Sequence, residues 1–148
     1  MSERISVTVA AVAQRDGRFL VVEEQADGGL RLNQPAGHLE PGETLVAAAV
    51  REALEETAYR FTPESLLGVY RWRNPQGITY VRFAFVGQAD GPEPGRALDQ
   101  GIVRALWLTP AELQAERARH RSPLVYRCVE DYLAGRRFPL ELLVEPGP

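Results

Sequence analysis

Residues 37–59 read GHLEPGETLVAAAVREALEETAY, and the fold and chemistry of the chain turn on this stretch. Its second half is helical in pattern and places Glu52, Glu55 and Glu56 at i, i+3 and i+4. At 3.6 residues per turn these three carboxylates share one helix face. An apolar stripe of Val46, Val50, Ala53 and Leu54 is expected on the other side. Like charges four apart cost an exposed helix about 0.2–0.5 kcal/mol per pair. A face that served only solubility would intersperse Lys and Arg. Taken alone, RExxEE still reads equally as a solvated acidic surface.

The residues before the helix change the balance. Gly37, Glu43 and the Arg51-Glu52 pair stand in the spacing G-x5-E-x7-R-E-x2-E-E. Glycine allows a close backbone approach and leaves its carbonyl bare. Glu43 precedes the helix and is expected to swing back over the helical carboxylates. Four carboxylates and a carbonyl form a hard-oxygen set suited to Mg²⁺ or Mn²⁺ and poor for zinc.

The spacing resembles the Nudix box, G-x5-E-x7-R-E-U-x-E-E-x-G-U with U aliphatic, and every charged position of that box is present. Ala53 is a small residue at a U position, and Ala58 replaces the last glycine. That glycine ends the helix at φ > 0, so Ala58 is expected to be strained there. The flanking segments NQPAGHLE, RWRNPQG, RSPLV and GRRFPLE are similar to those of the NudJ-type phosphatases within the family.

The resemblance implies an α/β/α sandwich with a mixed sheet. It also implies hydrolysis of terminal phosphate from nucleoside tri- and diphosphates or hydroxymethylpyrimidine pyrophosphate. Glu55 and Glu56 would be metal ligands together with the Gly37 carbonyl. Glu52 would be a further ligand or the base that activates water, held by Arg51, and Glu43 would complete the outer shell. Some relatives use an acid outside the box, for which Asp99, Glu93 and Asp90 are candidates; the alternative for all three is loop charge. A pyrophosphohydrolase acting on ADP-ribose or oxidised nucleotides is the competing enzyme reading. A non-catalytic nucleotide-binding module is the competing class, and it would not need all the carboxylates.

Substrate contacts are sought on two adjacent strands. Tyr70, Trp72, Arg73, Tyr80 and Arg82 supply rings that can stack a base and guanidinium groups that can grip phosphate, although strand aromatics also serve cores. Trp72 is the preferred stacking residue. His38 beside the box is a candidate phosphate contact or a structural hydrogen-bonding group. His120 is expected at the surface among Arg117, Arg119 and Arg121, a cluster that is either solvated or a phosphate access point.

Working outward, strands are expected over residues 5–13 and 19–23 around the Asp16-Gly17 turn, followed by a break at Asp27-Gly28-Gly29. Residues 30–39 are extended, and Thr44 caps the helix, which ends by Ala58. Thr62-Pro63 breaks the chain. Strands over residues 66–73 and 78–88 flank the turn at 74–77, and residues 91–95 form a loop. In the second of these strands Tyr80, Arg82 and Ala84 share one face, with Val81, Phe83 and Phe85 on the other. A strand over residues 102–108 precedes a helix capped by Thr109 with Pro110 at its first position. The last helix spans residues 123–134 and stops at Gly135. The fold class is α+β.

The chain has 148 residues, 45% hydrophobic and 25% charged, consistent with one domain over residues 1–148. A net charge of −3 gives no basic field for a nucleic acid polymer or an anionic membrane. The lone Cys128 cannot form an intrachain disulfide and suits a packed helix position. No segment has the pattern of a signal peptide or the ~20 apolar residues of a membrane span. The expectation is a cytoplasmic monomer or homodimer that takes a small-molecule phosphoanhydride.

Overall fold

The Asp16-Gly17 turn has positive φ at both residues, 51° and 77°, as a two-residue hairpin turn demands. It joins β1 (Arg4–Arg15) to β2 (Arg18–Ala26), which pair only next to the turn, Arg15 with Arg18 and Gln14 with Phe19. The computed structural model describes residues 4–26 and 28–147, so Asp27 of the expected break lies outside the described residues.

Beyond the turn the two strands part. β1 runs parallel to β6 (Ile78–Asp90) from Arg4 to Ala13, and β4 (Ala36–His38) lies antiparallel on its other side. β2 lies between β3 (Gly29–Asn33) and β7 (Ile102–Leu108), antiparallel to both. β5 (Arg60–Arg73) closes the edge beyond β6. The sheet is mixed, as expected.

Val9 to Ala13 form a continuous apolar run because β1 is covered on both faces. Val9, Ala11 and Ala13 pack with Phe61, Leu66 and Phe85 beneath α1 (Leu45–Thr57). Ala10 and Val12 pack with Phe19, Leu67 and Ala84 under α2 (Pro110–Ala115) and α3 (Leu124–Leu133). Successive residues of one strand thus feed two cores, and the result is a helix–sheet–helix sandwich. Cys128 of α3 is fully buried in the second core, and burial raises its pKa.

Several local signals act as the sequence predicts. The Thr44 hydroxyl caps α1 by accepting from Ala47 N at 3.1 Å. Thr109 and Glu112 form a reciprocal capping box on α2. Ala58 sits at φ 65°, ψ 9°, the left-handed conformation normally left to glycine, and its N–H donates to Leu54 O at 3.0 Å.

Two expectations are corrected. Thr62-Pro63 does not break the chain: β5 runs through it, with irregular register between Pro63 and Ser65 and again between Leu66 and Gly68. Proline is tolerated because β5 is an edge strand, where a missing N–H need not break a ladder. The buried flank of α1 is not the expected apolar stripe either. It consists of Leu45, Ala48, Ala49, Ala53 and Thr57 together with Glu52 and Glu56; of the expected stripe Ala53 is fully buried, Val46 packs against the core partly covered, and Val50 and Leu54 are only partly covered. Alanines let the helix lie close to the sheet, and that closeness draws two of its carboxylates under cover.

Candidate active site

Glu52 and Glu56 occupy the flank of α1 that faces β4. Glu52 packs against Gly37 so tightly that a Cβ there would lie 2.2 Å from its Cδ and Oε1. This close approach, rather than a special φ, explains the glycine. Glu56 is 8% exposed, and its Oε1 accepts from Ala36 N at 2.9 Å. Burial pushes its carboxyl up to about 9, reinforced by the nearby Glu52, Glu24 and Asp99 and opposed by the Ala36 N–H. Burial also raises Glu52, against the pull of Arg51.

Arg51 organises the outer side. Its Nη1 donates to Glu52 Oε1 at 2.8 Å and Glu55 Oε1 at 2.7 Å. Nη2 and Nε bind the two oxygens of Glu43 at 2.6 and 2.9 Å, and Nη2 also reaches the His38 carbonyl at 3.1 Å. The guanidinium is raised and Glu43 is lowered by these bonds. Glu43 therefore faces Arg51 and does not swing over the helical carboxylates as expected.

Asp99 comes to them instead. Its N–H donates to Glu55 O at 2.9 Å, and one carboxylate oxygen from each of Glu52, Glu55 and Asp99 falls within 4.8 Å of the others. Of the three acids considered outside the box, Glu93 is paired with Arg60 and Arg96, and Asp90 sits opposite Arg60 at the far end of β6. The donor set of Glu52, Glu55 and Asp99 is all oxygen, mutually repulsive and next to a cavity, which fits a divalent metal. Glu56 lies beside this group, and its pKa is raised first by burial and then by the neighbouring carboxylates of Glu52, Glu24 and Asp99.

Glu52, Glu56, Gly37 and His38 line one cavity of about 950 Å³ together with Trp72, Tyr80 and Arg82. Trp72 and Tyr80 stack at 6.0 Å and 18° across β5 and β6. Arg82 is buried at 5% exposure and lies on the same strand face as Tyr80. His38 is exposed, its ring 6.4 Å from that of Tyr80. Tyr70 is not part of the cavity lining; its hydroxyl donates to Asp131 Oδ2 at 2.7 Å.

The basic cluster divides. Arg121 lines the cavity and pairs with Glu24 at 2.7 Å, Arg119 bridges Glu23 and Glu116, and Arg117 lies over the Tyr126 ring. His120 is half-buried rather than superficial: its Nε2 is 2.9 Å from Leu113 O, and burial lowers its pKa. Asn33 and Gln34, whose amide oxygens accept from Arg82, were not singled out in the sequence. Their signal was membership of the NQPAGHLE segment, just before Pro35 and the glycine that receives Glu52.

A mixed sheet clasped by helices, with carboxylates gathered at one helix flank beside an aromatic and basic cavity, defines a hydrolase for phosphate-linked small molecules. The NUDIX domain profile matches residues 2–128, and the chain belongs to the Nudix family. It is 39% identical over 137 residues to Phosphatase NudJ of Escherichia coli (strain K12), covering 93% of this chain and 89% of that protein. A NUDIX hydrolase from Nitrosomonas europaea superposes with a TM-score of 0.94 at 51% identity, covering 97% of this chain and 98% of that one. The MutT NUDIX hydrolase of Burkholderia pseudomallei shares the fold at 20% identity, with a TM-score of 0.70 over 87% of this chain and 98% of that one. The protein is a Nudix hydrolase that cleaves phosphoanhydride bonds of small molecules. No helix among the described residues is long and apolar enough to cross a membrane.

Proposed function

We propose that this enzyme removes the terminal phosphate from nucleoside tri- and diphosphates and from hydroxymethylpyrimidine pyrophosphate. The observation that carries the reading is the meeting of Glu52, Glu55 and Asp99 beside a cavity that also holds the Trp72–Tyr80 stack. Likeness to a phosphatase across nearly the whole chain supports the terminal cut.

In this reading Glu52, Glu55 and Asp99, with Glu56 and the Gly37 carbonyl beside them, would hold Mg²⁺ or Mn²⁺. Bound there, the cation supplies neutralisation of phosphate charge and acidifies the attacking water. Arg51 keeps Glu52 and Glu55 in position and takes Glu43 as its own counter-charge. Glu52 or Asp99 accepts the proton as water adds to the terminal phosphorus and the bridging P–O bond breaks, releasing orthophosphate and a shortened substrate. Trp72 stacks the base, His38 stands at the cavity rim, and Arg82 binds phosphate. Residues 1–148 act as one domain, as a monomer or homodimer in the cytoplasm.

Product analysis at an early time point tests the assignment. With a nucleoside triphosphate, diphosphate and orthophosphate are expected first, followed by monophosphate. Monophosphate and pyrophosphate from the first turnover would overturn it in favour of a pyrophosphohydrolase. Hydrolysis should cease in excess chelator; turnover that persisted there would remove the metal from the scheme.

A further inference from the structure

Arg82 carries a buried charge that no carboxylate among the described residues pairs with directly. Its Nη1 donates to Gln34 Oε1 at 2.8 Å and to Cys128 Sγ at 3.8 Å, and its Nη2 donates to Asn33 Oδ1 at 2.9 Å. These acceptors are two neutral amides and a thiol that burial keeps protonated. Among the described residues no carboxylate pairs with it, whereas Arg121 on the same cavity wall is tied to Glu24. A buried cation with only neutral partners is costly, and an anion arriving from outside would offset that cost.

The geometry keeps that charge available. Gln34 is 2% exposed, and its Nε2 donates to Val125 O at 2.7 Å, which turns its oxygen toward Arg82. A glutamate there would set an oxygen against the Val125 carbonyl, so the site selects the amide. The following Pro35 carbonyl is locked to Ala11 N at 2.9 Å, which fixes the segment. Arg82 Nε has no protein partner among the described residues, and none of their buried side-chain nitrogens or oxygens lacks one. Nε is therefore reached from the cavity.

We infer that Arg82, held by Asn33 and Gln34, forms a metal-independent oxyanion subsite for the phosphate that stays on the organic group after cleavage. Asn33 and Gln34 are positioning residues that keep the guanidinium oriented and its charge unspent. The neighbouring Tyr80, stacked on Trp72, lies on the same strand face, so a phosphate at Arg82 brings its attached ring to that stack. Which phosphate leaves rests on the proposed function; the existence of the subsite does not.

The test uses the full chain in excess chelator, titrated with orthophosphate and with a nucleoside 5′-monophosphate by calorimetry. Both should bind without metal, the monophosphate at least tenfold more tightly and with a change in tryptophan fluorescence. Asn33→Asp and Gln34→Glu, each nearly isosteric, should weaken both ligands tenfold or more. Should Gln34→Glu fail to fold, Asn33→Asp at a half-buried position decides. No anion binding in chelator, or unchanged binding in Asn33→Asp, would overturn the subsite. Orthophosphate binding as tightly as the monophosphate would overturn its assignment to the retained phosphate. Because these readouts need no turnover, a pyrophosphate-releasing enzyme could still show the subsite, and the two failures remain distinct.

Discussion

Glu56→Gln tests whether the carboxylates of α1 are held for a cation or for the fold. Glu56 is 8% exposed, and its pKa stands at about 9 against an ordinary 4.5. With the folded value raised, the stabilising protonated form is fully present below pH 4.5, and its contribution is lost as pH climbs toward 9. Each pKa unit is worth about 1.4 kcal/mol, so the three units from pH 4.5 to 7.5 remove at most about 4 kcal/mol from the metal-free protein. Side-chain relaxation and water penetration bring the expected loss to about 2–4 kcal/mol. Glutamine keeps the oxygen that accepts from Ala36 N and cannot ionise. In excess chelator, urea unfolding of the two proteins should coincide near pH 4. The variant should be the more stable by about 2–4 kcal/mol at pH 7.5, while the metal-supplied enzyme loses activity. A stability difference that does not change with pH, or a variant that unfolds, would refute the reasoning.

Gly37→Ala would force a methyl to within 2.2 Å of Glu52 Cδ, so kcat should fall about a hundredfold with only a modest change in Tm, because displacement of about 1 Å can cost that much. Wild-type turnover in this variant would show that the position of Glu52 is immaterial. Asp99 is exposed, and Asp99→Asn should fold normally but lose about a hundredfold or more in kcat if it receives the proton; unaltered kcat would leave that role to Glu52. Ala58→Gly relieves a left-handed alanine, offset by glycine's greater unfolded-state entropy and the loss of a buried methyl, for a net gain below about 1 kcal/mol. A fall in Tm on calorimetry would count against strain at that residue.

The sequence by itself determined the features that depend on neighbours within a few residues. Thr44 capping α1, the paired positive φ angles of Asp16-Gly17, the capping box at Thr109 and the strained exit at Ala58 all arise within one turn of chain, where spacing dictates geometry. The RExxEE periodicity likewise placed Glu52, Glu55 and Glu56 on one face. Tertiary structure decided what each of those groups meets. Glu52 and Glu56 became buried because small alanines bring α1 down onto β4, and the pKa of a carboxylate follows its surroundings rather than its neighbours in sequence. Asp99 was chosen over Glu93 and Asp90 by one backbone bond to Glu55 that returns a loop to the helix. Pro63 could stay in a strand because β5 is an edge, and Arg82 is held by amide oxygens that a distant strand end brings to it. Spacing within a helix sets which way a side chain points; its protonation state and its partners depend on the segments that fold back against it.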